Sequence, residues 1–391
     1  MKEAKSKSLI FLIIGGLILY LLSTGVSYAA FRYLAGPTGP SLISPVPIET
    51  IRGRVDLSAP KTEACPLNNK LFTKGEREIW EKRRPLTVMI ENHEEARPQS
   101  GLSRADIVYE AVAEGGITRL LTVYYCGASA EDITIGPVRS ARTYFMDFAS
   151  EYGDYPLYAH VGGANKPGAA DALGQISQYG WLNKRNDLNQ FAIGFPTFWR
   201  DYERIGHPVA TEHTMYSTTD KLWEVAHGRG LDFTDSEGDK WNKDFIPWKS
   251  KEEASLIKRG TVDNIKIEFW SGYQGYGVNW QYDRENNRYL RSNGGQAHKD
   301  LNNDEQLQAK VVIVQFMKEK GPIDEEKHLL YTTTGSGKAL VFQDGEAIQA
   351  TWSKADRQSR TKFTDSKGKE ISFIPGEIWI EIVPVGKEVS Y

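Results

Sequence analysis

An uncharged apolar run at residues 9–31 follows the basic start Met1-Lys2-Glu3-Ala4-Lys5-Ser6-Lys7 and constrains everything behind it. Roughly 20 apolar residues cross a bilayer as a helix, and this run holds about 23. Three lysines against one glutamate favour an amino terminus kept in the cytoplasm. The expected layout is a cytoplasmic tail (1–8), a transmembrane signal-anchor helix (9–31) and an extracytoplasmic body on a single-pass cell-membrane protein. Cleavage as a signal peptide is the alternative, because Ser27 and Ala29 form a small-x-small pair. The run, however, exceeds the about 7–15 apolar residues of a signal peptide. Neither Cys65 nor Cys126 directly follows the run, so no lipid-modified N-terminal cysteine is expected.

The body has the composition of a soluble globular protein, at 40% hydrophobic and 25% charged residues. It is long enough for two domains at about 150 residues each. A net charge of −3 without a basic patch excludes nucleic acid as an expected partner. Ten tryptophans and nineteen tyrosines make a glycan partner conceivable for an exported body, although strand-rich cores use aromatics equally well. The two cysteines form either one disulfide, suited to an oxidising compartment, or two buried thiols. Neither has a neighbouring histidine or cysteine in sequence, so a catalytic thiol is not expected.

A proline-rich spacer fills residues 32–72, most clearly in GPTGPSLISPVP at 36–47. Residues 73–240 read as an α/β domain whose mixed sheet combines a hairpin with βαβ units. A charged helix at 73–84 leads into a strand at 86–91. Strands at 105–113 and 117–125 flank Gly115-Gly116, the signature of a two-residue hairpin turn. A strand at 133–135, a helix at 141–152, a strand at 157–161 and a helix at 169–177 read as a parallel crossover. The stretch 217–228 has a helix start signal and ends in glycine. A polar linker at 235–253 precedes a mostly β domain (260–391) of short strands.

The hairpin supplies the first candidate site. With Gly115-Gly116 as the turn, Glu114 faces Ile117, Val112 faces Arg119 and Glu110 faces Leu121. Glu110, Glu114 and Arg119 then share one face and could combine an acid, a base and a charge that separates their pKa values. A solvated face of weak ion pairs is the competing reading. The second candidate is Gly136-Pro137-Val138-Arg139-Ser140-Ala141-Arg142, where a strand becomes a helix. Unpaired amides, Arg139, Ser140 and Arg142 would suit an anion, unless Ser140 merely caps the helix and the arginines pair with acids such as Asp147 or Glu151. If the flanking strands are parallel neighbours, the loop from His160 through Gly162 and Gly163 opens at the same edge, placing His160 beside Arg139.

Other motifs carry no site. Gly335-Ser336-Gly337-Lys338-Ala339 resembles a phosphate loop but leads into the strand-like ALVFQ. His207 and His213 lack a third ligand at metal spacing, so no metal is expected. The aromatic cluster Trp270, Tyr273, Tyr276, Trp280, Tyr282 and Tyr289 suits cross-strand packing better than a glycan platform.

PLTVMIENHEEARPQSGLSRADIVYEAVAEGGITRLLTVYY, IGPVRSART, YAHVGG and EHTMYST, with NWQYDRENNRYLRSNGGQAHKD and VVIVQF further on, resemble the YerB-like family of bacterial exported proteins. The resemblance covers most of the chain from Pro85 onward. It implies an anchor or lipoprotein signal followed by two linked domains of unestablished function. Members are typically lipoproteins, a point where this chain departs. The motif positions carried over are Asn92, Arg97, Gln99, Glu110, Glu114, Arg119, Arg139, Arg142, His160, His213, Tyr216, His298 and Asp300; none brings a catalytic assignment.

The sequence thus leads to a membrane-anchored extracytoplasmic protein that binds an anionic or glycan cell-envelope ligand, without a cofactor. Arg119, Arg139, Ser140, Arg142, Gly162, Gly163 and His213 are the expected ligand contacts. A hydrolase or transferase on envelope polymers, using Glu110, Glu114 and His160, is the alternative. A scaffold contacting a membrane or envelope protein is the third reading.

Overall fold

The computed structural model describes residues 55–391. The apolar run and most of the proline-rich segment lie outside the described residues. Among the described residues, no helix is long and apolar enough to cross a membrane.

Ten strands join in one mixed sheet. Numbered within it in chain order, they are β1 (Leu86–Glu91), β2 (Ile107–Glu114), β3 (Ile117–Tyr124), β4 (Leu157–His160), β5 (Asp187–Asn189), β6 (Val311–Met317), β7 (Gly335–Gln343), β8 (Glu346–Lys354), β9 (Lys362–Thr364) and β10 (Ile378–Pro384). The spatial order is β9-β8-β7-β6-β10-β2-β3-β1-β4-β5. Sequences such as LTVMIE in β1 and IWIEIVP in β10 are buried throughout, which explains their unbroken apolar character. β1–β5 come from the α/β segment and β6–β10 from the mostly β segment. The seam is the parallel β2–β10 pair, with Ile107 opposite Ile378 and Glu110 opposite Glu381. The sheet therefore runs unbroken through both segments.

A second, antiparallel sheet is built around strands Val278–Asp283 and Arg288–Asn293, whose burial alternates residue by residue. Trp280 and Tyr289 are fully buried, and Trp280 meets Trp379 of β10 edge-on at 5.3 Å between ring centroids. The aromatic cluster is thus mainly packing, with Tyr273 exposed.

Helix α1 (Lys74–Trp80) begins with a reciprocal Thr73–Glu76 capping box. Helix α2 (Thr143–Ala149) continues as a 3₁₀ turn through Tyr152, and Arg142, not Ser140, occupies its N-cap position. Helices α3 (Ala172–Gln178) and α4 (Thr219–Gly228) follow. The crossover is one unit later than expected. Thr134–Ile135 pairs antiparallel with Met215–Thr218, while β4 takes its parallel partners from β1 and β5. The two-residue strand offers too few ladder bonds to compete with the six-residue apolar β1, and β4–α3–β5 forms the parallel crossover.

Two further expectations change. The end of the spacer is folded: Lys61–Ala64 pairs with Leu71–Thr73, and Cys65 is disulfide-bonded to Cys126. The polar stretch 235–253 is pinned by its tryptophans, since Trp241 Nε1 donates to the Tyr125 hydroxyl and Trp248 Nε1 donates to the Thr361 carbonyl. Gly335-Ser336-Gly337-Lys338 begins β7 and opens no helix.

Candidate functional site

The hairpin turns on Gly115 and Gly116, both at positive φ (57° and 83°), as a two-residue turn requires. Glu114 faces Ile117, but Ala113 is an extra residue in the ladder. Val112 consequently faces Thr118, Ala111 faces Arg119 and Glu110 faces Leu120. This bulge moves the register by one residue, and a one-residue shift exchanges faces. Glu110 and Arg119 therefore project from opposite faces, and the expected single cluster becomes two.

The first cluster is interior. Arg291 ion-pairs with Glu110, both fully buried, and donates to His298 Nδ1 at 2.6 Å. Accepting there leaves His298 Nε2–H to donate to Gln99 Oε1 at 2.7 Å. Burial, reinforced by the charges of Arg291 and Arg97, holds this imidazole neutral, well below the usual histidine range. Asn92 donates to Glu110 and Thr118, while its own side-chain oxygen accepts from Gln99 and Arg97. Across the seam, burial and the neighbouring Glu110 charge push the Glu381 carboxyl well up. Asp300 lies nearby, accepting from Gly101 N, Ser103 N and the Ser103 hydroxyl. Motif positions Asn92, Arg97, Gln99, Glu110, His298 and Asp300 thus join the two segments. Glu110 has no solvent access and is not a catalytic candidate.

The second cluster occupies the opposite face and reaches the surface. Glu91 of β1 faces Arg119 of β3. Arg119 donates to Glu114 at 2.7 Å and to the Ser140 carbonyl at 3.3 Å. Arg142 clasps the same Glu114 carboxylate through Nε at 3.0 Å and Nη2 at 2.8 Å. Arg139 ion-pairs with Glu91, and His213 Nδ1 lies 3.7 Å from that carboxylate. The arginines therefore do pair with acids, but with Glu91 and Glu114, not with Asp147 or Glu151. Burial would raise the Glu91 carboxyl; the facing His213 imidazole and the charges of Arg119 and Arg139 outweigh burial and bring it to about 2. Glu114 is likewise lowered, with Arg119 and Arg142 overcoming burial.

His160 does not line the cluster. It is fully buried, with Nε2 2.6 Å from Asp187 Oδ1 and Nδ1 2.6 Å from the Gly162 carbonyl. Both nitrogens are occupied, so His160 ties the glycine loop to β5. The backbone adjacency is as expected: Val161 N donates to the Arg139 carbonyl and Ala141 N to the Gly162 carbonyl. Gly162 and Gly163 consequently border the arginine segment. Tyr216 is buried beneath the Arg204 guanidinium.

The comparisons divide this chain as its seam does. Residues 73–232 match the profile described as "Protein of unknown function (DUF3048) N-terminal domain", and residues 265–380 match the corresponding C-terminal domain. The chain is 30% identical over 327 residues to a Bacillus subtilis (strain 168) protein named "Putative lipoprotein YerB", covering 80% of this chain and 84% of that one. The chain belongs to the DUF3048 family. A crystal structure of the Bacillus subtilis YerB protein superposes with a TM-score of 0.66 at 26% identity, spanning 84% of this chain and 100% of that chain. Both DUF3048 segments contribute to the interior cluster, whereas the exposed arginine cluster comes from the N-terminal one.

Sequence reasoning missed Glu91, His93 and Glu95 on one side and Arg291 and Glu381 on the other. Glu91 alone had a local signal, a carboxylate ending an otherwise apolar strand.

Glu114→Gln tests the exposed cluster. A carboxyl with a depressed folded pKa stabilises fully above its ordinary value of 4.5 and loses that contribution as pH falls through the folded value. The variant should lose about 1.5–3 kcal/mol at neutral pH, the range for hydrogen bonds to charged groups. Its stability should also fall less steeply in acid, as read by urea unfolding at a series of pH values.

Proposed function

We propose that this protein is membrane-tethered through residues 9–31 and binds an acidic cell-envelope ligand with its extracytoplasmic body, at the rim formed by Arg139. One observation carries the reading. The Arg139 side chain is 26% exposed, and beyond Glu91 no described residue accepts a hydrogen bond from it. A guanidinium held at one edge presents its remaining donors in a planar fork suited to phosphate or carboxylate. Arg119 and Arg142, fixed by Glu114, keep the surroundings electropositive, while Ser140, Gly162 and Gly163 form the adjoining backbone wall. Phe191, 76% exposed, lies against Gly162 and offers an apolar face to a sugar ring.

Three further points support the address: the apolar run, the lipoprotein name of the relative, and a disulfide suited to an oxidising compartment. Binding is favoured over acid–base catalysis because Glu91 and Glu114 are both held ionised. Neither can act as a proton donor near neutral pH.

The test is retention of fractionated envelope material on the immobilised full-length protein in detergent. Arg139→Ala should weaken retention about tenfold or more, equivalent to about 1.4 kcal/mol. Equal retention by both proteins sinks the proposal.

A further inference from the structure

Two short turns, distant in sequence, bring three metal-ligating side chains together beside the arginine cluster. His93 precedes the 3₁₀ turn Glu94–Ala96, which also carries Glu95, and His213 ends the turn Thr211–His213. The two imidazoles lie nearly parallel, 4.8 Å apart at their centroids. His213 Nε2 is 3.8 Å from Glu95 Oε2, and potential ligand atoms of all three residues fall within 4.8 Å of one another.

We propose that His93, Glu95 and His213 bind a divalent transition metal of the zinc class. Two imidazoles and a carboxylate are a zinc-type donor set, and three protein ligands leave a coordination position open. A tetrahedron with bonds of about 2.0–2.1 Å has edges of about 3.4 Å, so the His213–Glu95 pair needs to close by only about 0.4 Å.

The environment of His213 is the second, independent observation. Its side chain is 5% exposed, yet Nδ1 makes no hydrogen bond and stands 3.7 Å from Glu91 Oε2, the oxygen that also faces Arg139. A buried imidazole seldom stays unpaired. Metal at Nε2 fixes the proton on Nδ1, directed at Glu91, which is the usual carboxylate–histidine–metal support. Glu91 also stands between the site and the cations Arg139 and Arg119, limiting their repulsion of a bound ion. His93 must give up the 3.2 Å bond that Nδ1 accepts from Glu95 N, whichever nitrogen it presents. Glu95 is 59% exposed, so the open position faces solvent.

Other acid- or sulfur-bearing groups lack these features. The sulfurs of Cys65 and Cys126 are joined to each other, and Asp235 is engaged by its own turn's amides. His207 is exposed and directed at the Pro208 carbonyl.

The site stands independently of the anion-binding reading. Full-length protein in detergent, stripped with a chelator, is titrated with Zn²⁺ by calorimetry and with Co²⁺ by its visible absorption. One ion per chain is expected, with affinity reduced at least tenfold in His93→Ala, at a half-buried turn position, and in Glu95→Gln, at an exposed one. Glu91→Gln should weaken binding about 10–100-fold, the range for a supporting partner. Arg139→Ala should keep its metal, so loss of envelope retention there leaves this proposal untouched. Absence of stoichiometric binding, or unchanged affinity in His93→Ala, overturns it.

Discussion

Arg291→Met should lower the unfolding free energy by about 3–5 kcal/mol, the range for breaking a buried ion pair from one side. Arg291 has no solvent exposure, pairs with Glu110, donates to His298 and lies over the Trp379 ring at 4.5 Å. Methionine fills similar space but leaves Glu110 charged in the interior, opposite Glu381 across the seam. The Glu381 carboxyl, pushed well up by burial and by the Glu110 charge, cannot supply the positive charge that Arg291 gave. Adding Glu110→Gln to Arg291→Met should recover a substantial part of the loss, because the unpaired charge is then gone. Urea unfolding followed by tryptophan fluorescence and by circular dichroism measures both effects. The two probes should give one coincident transition, since the sheet continues through both segments. A change below about 1 kcal/mol, far under the expected range, would show that this network does not hold the segments together.

Replacing both Cys65 and Cys126 by alanine should cost about 4 kcal/mol in the chain-entropy description, given the size of the loop they close. The bond joins residues 61 positions apart and fastens the small hairpin Lys61–Ala64/Leu71–Thr73 to the end of β3. Beneath it, the fully buried Asp106 carboxylate accepts from Tyr125 N at 2.7 Å, Gly127 N at 3.0 Å and Asn68 Nδ2 at 3.3 Å. Loss of the bond frees the Asn68 side of this arrangement, so the hairpin should open before the sheet melts. Amide hydrogen exchange should show lost protection at 61–73 first. Reduction of the wild-type protein should reproduce the effect, and equal stability of reduced and oxidised protein would contradict it.

Strand β1 and the two hairpin strands were legible because their apolar runs are bounded by charge or glycine, and α4 because Thr218 and Gly228 mark its ends. The seam was not legible. IWIEIVP reads as a strand, but nothing local says that it pairs in parallel with IVYEAVAE, more than 260 residues earlier. The hairpin turn was read correctly, yet the bulge at Ala113 has no sequence signature, since alanine neither requires nor forbids it. That residue decided the candidate site by moving Glu110 to one face and leaving Glu114 and Arg119 on the other. Arg139 and Arg142 were identified by type and position, as was Glu114; the pairing of Arg142 with Glu114 and of Arg139 with Glu91, across separate strands, was not. His213 was singled out, but its approach to His93 was not legible because only tertiary packing joins their turns.

The claim that most needs testing is that the Arg139 rim recognises negative charge on an envelope ligand. Its most direct measurement compares retention of one envelope polymer fraction by the full-length protein before and after the polymer's carboxylates are amidated and its phosphates removed. The native polymer should be retained by wild type and much less by Arg139→Ala, and the neutralised polymer should pass both. Equal retention of native and neutralised polymer would contradict the account.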